Sequence, residues 1–355
     1  MSEKPSALQS AYIIDGVQQE LTPAQLLDAE TVGSVARTAD LKEGQCIVDE
    51  TLDPVVRTFD FDSGDFCEYL ESVKSSRRQW PLAYSYPHTR LNIACALIDA
   101  MWRKGNFRLE NICLNLKWNW NESPVGAMAA FYESARSAAD YADALGIWFN
   151  SYEYHQTDSE SSFCVEPDCP EMESVPAVSA EVVNDEESWL IYIPFDGSKF
   201  RLGASLLAQS IGLAGASPSY DDVACFVDCY EVVREFVEDG LLLSAATVGE
   251  GGLMKTVSDM LGQESDMELD ISDIMRSYGE KSPVRVLFSE VPGVIIQIKD
   301  YDFDYVDAEL LLQDVQYFPL GHPKSGSGKL SVKLSQKSAI EIILDSLMLN
   351  AEGED

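Results

Sequence analysis

The chain has 355 residues, of which 46% are hydrophobic, and its 60 acidic residues outnumber its 25 basic ones to give a net charge of −35. This length suggests two domains at about 150 residues each, and the hydrophobic content excludes wholesale disorder. Nucleic acid and anionic membranes attract clustered lysine and arginine, so the acidic balance argues against both as partners. Solubility, adaptation to high salt and a basic protein partner remain open as reasons for the acidity.

The sequence predicts a soluble, cytoplasmic protein. No apolar run approaches the roughly 20 residues that span a bilayer, and the first residues lack the apolar core of a secretory signal.

The eight cysteines are therefore not expected to form a disulfide framework. Cys164 and Cys169 are spaced as a weak metal candidate, but no second ligand pair accompanies them, so we expect no structural zinc. His155 and His322 lack a nucleophile or an orienting acid at recognisable spacing and receive no catalytic role.

The first half of the chain alternates predicted strands and helices. Residues 44–61 have a strand-like pattern, and apolar residues at helical spacing predict a helix over 89–104. Strands are predicted over 108–118 and 147–155.

Between these two strands lies the clearest helix, predicted over 124–145. Ser123 is expected to cap it, Pro124 to occupy its first position and Gly146 to end it. Its alanine-rich face, which includes Val125, is typical of close packing against a sheet.

The acidic residues 156–173 predict a surface loop and the boundary between two domains. Beyond it, strands are expected near 175–183, 188–195, 240–247, 284–289, 293–299 and 314–319. Helices are expected over 202–212, 221–239, 251–261, 303–312 and 336–350. This mixture, with hairpin-like neighbours over 284–299, predicts an α+β fold.

Two segments run from a strand pattern through a glycine-containing turn into a helix pattern: Phe200–Ser210 and Leu241–Met254. Such turns leave backbone N–H groups free to meet phosphate. The same glycines also serve tight turns and close packing, and spacing alone leaves both interpretations open.

Five strings in collinear order resemble the second synthetase half of phosphoribosylformylglycinamidine (FGAM) synthase, the ATP-dependent amidine-forming enzyme of purine biosynthesis. They are HTRLNIACALIDA, ICLNLKWNW, FRLGASLLAQS, LLLSAATVGEGGLMKTVSDML and VLFSEVPGVIIQI, and the resemblance extends over roughly residues 55–320. The last three are similar to the family patterns L-G-x-S/T-x-L-A-Q, L-L-x-x-H-D-x-S-D-G-G-L and L-F-N-E-E-L-G-x-V-I-Q-V.

The resemblance implies an aminoimidazole-ribonucleotide-synthetase-like two-domain α+β fold. Residues 1–44 would form an N-terminal extension, 45–173 a barrel-forming domain that pairs with a second copy or a partner, and 174–335 an α+β sandwich. Residues 336–355 would form a terminal helix and an acidic tail. The resemblance also implies ATP or ADP with Mg²⁺ as ligands, held by residues at the two glycine-rich turns and a strand end: Gly203, Ser205, Glu250, Gly251, Gly252 and Glu290.

The chain departs from the family where phosphate and Mg²⁺ are bound. Cys95 and Asp99 replace the family's Glu and Asn, Lys117 replaces an Asn, and a G-K-D-S motif is missing. The family's H-D-x-S-D-G-G is AATVGEGG here, which leaves Glu250 as its single acid. Mg²⁺ needs several ordered oxygen ligands, and phosphoryl transfer needs the triphosphate charge neutralised.

These departures favour a degenerate, non-catalytic relative that acts as a scaffold or interaction subunit. The alternative is an ATP-binding subunit of a split FGAM-synthase-type ligase, with Glu250 and Glu290 as its remaining acids. Glu250 also has a purely structural interpretation. A carboxylate in the first turn of a helix interacts favourably with the helix dipole, which stabilises the helix by about 0.3–1 kcal/mol. A stand-alone enzyme with another substrate has least support.

Overall fold

The computed structural model describes residues 6–28, 65–103, 108–168, 177–212 and 214–333. The strand predicted over 44–61 and the helix predicted over 336–350 lie outside these residues. Within them, no helix is both long enough and apolar enough to cross a bilayer.

The described elements alternate helices and strands along the chain. The helices are α1 (Pro23–Leu27), α2 (Asp65–Ser75), α3 (Ser85–Arg103), α4 (Ala127–Leu145), α5 (Leu206–Ser210), α6 (Val223–Glu238), α7 (Gly252–Leu261), α8 (Ser272–Ser277), α9 (Pro283–Phe288) and α10 (Phe303–Leu312). The strands are β1 (Ile13–Ile14), β2 (Val17–Gln18), β3 (Cys113–Trp120), β4 (Trp148–Gln156), β5 (Ser162–Asp168), β6 (Ser188–Pro194), β7 (Ser244–Val248), β8 (Ser265–Asp270), β9 (Gly293–Lys299), β10 (Phe318–Gly321), β11 (Lys324–Ser325) and β12 (Leu330–Lys333).

A four-stranded antiparallel sheet in the order β10-β6-β9-β7 lies between two hydrophobic cores. Successive residues of a strand point to opposite faces, and β6 and β9 are apolar on both. Ile191 and Ile296 belong to a core shared with α3, α4 and α6, whereas Tyr192 and Ile295 belong to a core shared with α2, α5, α7 and α9. The sheet is therefore buried on both faces.

A second sheet, in the order β4-β3-β5, packs one face against α3 and α4. β3 pairs in parallel with β4 and antiparallel with β5. Leu116, Trp118 and Trp120 fill the covered face. The opposite face carries mainly polar side chains, with Lys117 opposite Glu153 and Asn119 opposite His155.

Several predicted elements are confirmed with small shifts of their ends. The helix predicted over 89–104 is α3, and those predicted over 221–239, 251–261 and 303–312 are α6, α7 and α10. The strands predicted over 147–155, 188–195 and 293–299 are β4, β6 and β9. The helices among these segments have apolar residues at helical spacing, whereas β6 and β9 are short apolar runs that are buried on both faces.

The predicted start of the long helix is wrong by one turn. Gly126, with φ +82°, is the N-cap of α4, and Gly146 ends the helix as predicted. Ser123 instead closes a turn, because its N–H donates to Asn121 Oδ1 at 2.9 Å. Val125, expected in the apolar face, is fully exposed.

The loop predicted over 156–173 contains a strand. β5 pairs with β3 along its length, and its Phe163 and Pro167 are buried. Acidic residues occupy the alternate, exposed positions, so the overall polarity of the segment concealed its period of two.

The strand predicted over 284–289 is the helix α9. Its run of apolar residues is buried on all sides, and such a run carries no period that separates a strand from a helix. Of the strand expected near 175–183, the described residues 177–183 form one isolated bridge, between Ser179 and Ser244. The helix expected over 202–212 is the single turn of α5, and the strand expected at 314–319 begins only at Phe318.

Candidate functional site

The fold brings both glycine-rich turns to the same buried carboxylate. Glu290, 2% exposed, follows α9. Its Oε1 accepts a hydrogen bond from Gly251 N–H at 2.8 Å and another from Leu206 N–H at 2.8 Å. Gly251 is the N-cap of α7 and Leu206 is the first residue of α5. Glu290 thus satisfies backbone donors at the start of two helices, where a negative charge is favoured.

Arg78 completes this cluster, and sequence reasoning missed it. Its Nη2 forms an ion pair with Glu290, and its Nε donates to Glu250 Oε2 at 3.2 Å. Burial disfavours the charge on Arg78, but the carboxylates of Glu290 and Glu250 outweigh that effect and raise the pKa of the guanidinium. The available signal was an adjacent pair of arginines, Arg77 and Arg78, in a chain that is otherwise strongly acidic.

The turn before α5 is held in a strained conformation. Ala204 has φ +63°, a left-handed conformation that costs an alanine about 1–2 kcal/mol. Its carbonyl accepts hydrogen bonds from Arg78 Nη1 at 3.2 Å and from Gln209 Nε2 at 3.3 Å. Ser205 caps α5, because its Oγ accepts from Ala208 N–H at 3.1 Å. Ser205 is 1% exposed, so the structure gives it a capping contact inside the protein.

The glycines of the two turns lie against other backbone. A Cβ on Gly203 would lie 2.2 Å from the carbonyl oxygen of Gly215, and one on Gly252 would lie 2.8 Å from the carbonyl oxygen of Leu287. Gly251 and Gly252 also have positive φ. Close packing therefore accounts for Gly203 and Gly252, and helix entry accounts for Gly251.

One face of α3 forms the opposite wall of this cluster. His88 Nδ1 lies 3.5 Å from Arg78 Nη1, and Cys95 Sγ lies 3.7 Å from the carbonyl oxygen of Val248. Asp99 Oδ1 accepts a hydrogen bond from Thr247 Oγ1 at 3.4 Å. Cys95 and Asp99 replace the Glu and Asn of the resembling family, and both face the turn that carries Glu250.

Two titratable groups on this wall, His88 and Cys95, are neutral at physiological pH. Burial, and then the positive charge of Arg78, lower the pKa of His88 well below its ordinary value. Burial, and then the charge of Glu290, raise the pKa of the Cys95 thiol to about 12. A neutral thiol is a poor nucleophile, and Cys95 is therefore not an activated cysteine.

The residues present do not fit a magnesium triphosphate. The N–H groups of Gly251 and Leu206 already bind Glu290, and the charge of Arg78 is matched by two carboxylates. Among the residues that the structure describes, no group of three histidine, cysteine or acidic side chains is placed to hold a metal ion. Cys164 is exposed on β5, and Cys169 lies outside the described residues.

Human phosphoribosylformylglycinamidine synthase is 24% identical to this chain over 157 residues, which cover 42% of the chain and 11% of the human protein. No protein-family model matches. The structure of Thermotoga maritima PurL complexed with FGAR has a TM-score of 0.54 at 11% identity, covering 72% of this chain and 42% of that chain. A structure of the hydrogenase maturation protein HypE in complex with ATP has a TM-score of 0.48 at 15% identity, covering 70% and 76% of the two chains. The chain therefore spans less than half of the FGAM synthase and PurL chains that it matches.

Proposed function

From the premise that this chain has the aminoimidazole-ribonucleotide-synthetase-like α+β fold, similar to that of PurL, we propose that it is a degenerate, non-catalytic relative of FGAM synthase. In this proposal it binds no nucleotide at its glycine-rich turns and acts as a scaffold or interaction subunit.

The contact of Glu290 with both turns carries this proposal. A phosphate that docked on the N-termini of α5 and α7 would have to displace a carboxylate that is 2% exposed and held by two backbone donors and Arg78. Displacement would leave a buried anion without its partners, which is strongly unfavourable. The chain thus supplies its own anion at the place where phosphate would bind.

The charges around the glycine-rich turns also support a non-catalytic protein. Phosphoryl transfer requires the triphosphate charge to be neutralised by metal ions and by lysine or arginine. Here Arg78 faces two carboxylates, and Cys95 and Asp99 stand where the family has Glu and Asn. A triphosphate would therefore meet a cluster in which two carboxylates outnumber the single guanidinium of Arg78.

One observation favours the alternative of an ATP-binding subunit of a split FGAM-synthase-type ligase. The side chain of Glu250 is 50% exposed at the turn before α7, so one of its oxygens is open to a cation. A separate partner chain would then have to complete the site.

Thermal unfolding with and without ATP or ADP plus Mg²⁺ separates the two functions. A ligand at 100 times its dissociation constant adds about 2.7 kcal/mol and raises the unfolding midpoint by several degrees. We expect no shift of the unfolding midpoint at millimolar nucleotide. T. maritima PurL, whose complex with ATP has been solved, serves as the positive control for nucleotide binding in a parallel dialysis assay. A shift that disappears in Glu250→Ala would instead demonstrate a nucleotide site and favour the ATP-binding subunit.

We also propose that residues 45–173 form a domain through which the chain binds a protein partner or a second copy. In the described part of the chain, β4 is an edge strand with mostly exposed side chains, including Trp148 at 45% exposure. An edge strand offers unpaired backbone groups to another chain. We expect light scattering to show an assembly of this chain, with itself or with a partner, and Trp148→Glu to weaken that assembly. The proposal would be contradicted if the chain were monomeric at all concentrations and no partner bound this face.

A further inference from the structure

α10 exposes a continuous apolar stripe. We define the α10 stripe as Tyr301, Tyr305, Ala308, Leu311 and Leu312, with the two leucines 64% and 76% exposed and the two tyrosines 74% and 47%. Residues three, four and seven positions apart lie on one face of a helix. Tyr305, Ala308 and Leu312 therefore form one row on α10, and Leu311 lies beside it; Tyr301 precedes the helix, in the 3-10 turn Asp300–Asp302.

The stripe is not needed to hold the helix in place. Val306 and Leu310 on the opposite face are fully buried, and the ring of Phe303 packs 5.2 Å from that of Trp189. Single exposed apolar residues are ordinary, but a contiguous apolar patch bordered by polar groups is typical of an interaction surface.

Carboxylates border the row on both sides. By helical position, Asp304 lies between the row and Leu311, and Asp302 and Glu309 lie on the other side of the row. Lys299 adds a single positive charge at one end, where its Nζ lies 5.3 Å from the ring of Tyr301. An apolar row between two acidic borders is complementary to an apolar row between two basic borders.

We propose that the α10 stripe docks a basic amphipathic helix of a partner protein, with apolar residues at i, i+4 and i+7 and lysine or arginine beside them. A second copy of this chain would bring the same acidic borders against this stripe, so a contact between two stripes is disfavoured. The apolar C-terminal segment over 336–350 and its tail hold one lysine against five acids, and are repelled for the same reason. This surface lies apart from the glycine-rich turns, so the inference holds whether or not nucleotide binds.

The test uses the full chain and a fluorescein-labelled peptide of leucine and lysine in helical order, about 18 residues or five turns long. A peptide of the same composition in scrambled order measures attraction by charge alone. In fluorescence anisotropy at physiological salt, we expect the double variant Leu311→Ser/Leu312→Ser to bind the ordered peptide at least about tenfold more weakly. The matched control is Val125→Ser, which changes a fully exposed apolar residue elsewhere and should leave binding unchanged.

The acidic borders are tested separately. Asp304→Asn/Glu309→Gln should weaken binding a few-fold and reduce its dependence on salt, because exposed charges are screened at high ionic strength. The scrambled peptide should bind weakly to every variant.

Four results would overturn the inference. Equal binding of the ordered and scrambled peptides would show that only non-specific charge attraction is at work. A loss of binding in Val125→Ser as large as that in Leu311→Ser/Leu312→Ser would show that the peptide does not bind the stripe specifically. Tighter peptide binding by Ile343→Asp/Leu347→Asp would show that the chain's own terminal segment covers the stripe. A dimer seen by light scattering and dissolved by the stripe variant would make a second copy the occupant.

Discussion

Glu290 accepts a hydrogen bond from the N–H of Gly251, 39 residues earlier in the chain, and that contact joins the acid that follows α9 to the start of α7. The same oxygen accepts from Leu206 N–H, so one carboxylate fixes the entry of two helices. Anions bind at helix N-termini because the unpaired N–H groups and the helix dipole both favour negative charge. In this chain a side chain takes that place, with Arg78 as its counter-ion.

Replacing Glu290 should destabilise the fold far more than replacing Glu250. Glu290→Ala leaves Arg78 without its buried partner and two backbone donors unpaired, which we expect to lower the free energy of unfolding by about 3–5 kcal/mol. Glu250 pairs with the same guanidinium but is 50% exposed, so Glu250→Ala should cost about 0–1 kcal/mol. Urea denaturation of both variants measures the difference, and equal losses would show that Glu290 is not the central contact.

The glycines at the turns should prove necessary for packing. Gly252 and Gly240 have nearly the same backbone, with φ +69° and +67°, but a Cβ on Gly240 meets nothing within 4 Å. Gly240→Ala should therefore cost about 1–2 kcal/mol from its conformation alone. Gly252→Ala should cost a further 1–3 kcal/mol, roughly, from contact with the backbone of α9 and Ser289. If the two variants unfold at the same urea concentration, close packing does not explain Gly252.

Glu290 and its partner show how far the sequence predicts the site. The string around Glu290 marked it as a candidate, and the glycine-rich turns were found by their composition. Arg78 pairs with Glu290 across 212 residues, and no local pattern relates positions so far apart. The fold class followed from the order of elements, since α3 and α6 have clear helical periods and β6 is a short apolar run between polar segments.

The errors in the secondary structure have physical causes. α9 is buried all round, so its apolar run has no helical period. β5 has a period of two, but its exposed positions hold Cys164, Glu166 and Asp168, and the segment is acidic overall. At the start of α4, Gly126 is the N-cap with φ +82°, and Ser123 belongs to the preceding turn, where its N–H donates to Asn121 Oδ1.

Cys95 should resist alkylation in the folded protein. Burial and Glu290 raise the pKa of its thiol to about 12, so at pH 8 only about one molecule in ten thousand carries the reactive thiolate. Cys67 and Cys164 are exposed and should react first. Mass spectrometry of peptides after iodoacetamide treatment, with and without urea, reads each cysteine separately. Early labelling of Cys95 without urea would mean that the wall formed by α3 opens in the native state.

Stability should fall as the pH drops below about 6.5, and His88 should be one cause. Burial, followed by the charge of Arg78, lowers the pKa of His88 well below its ordinary value in the folded protein, whereas unfolding restores a value of about 6.5. Between the folded and unfolded pKa values the unfolded chain binds one more proton, so the free energy of unfolding decreases with falling pH. The slope approaches about 1.4 kcal/mol per pH unit for a single histidine.

His88→Gln removes this proton uptake and should flatten the dependence between pH 7.5 and 5.5, roughly the range where the unfolded imidazole titrates. His155→Gln, at an exposed position on β4, is the matched control and should keep the slope of the unchanged protein. Urea denaturation at several pH values measures all three proteins. Loss of the contact near Arg78 lowers the free energy of unfolding of His88→Gln at pH 7.5, whereas loss of titration changes the slope of that free energy against pH. The two effects can therefore be separated. A slope that survives His88→Gln would assign the acid sensitivity to other groups and leave His88 as a packing residue beside Trp80, whose ring lies 4.8 Å away.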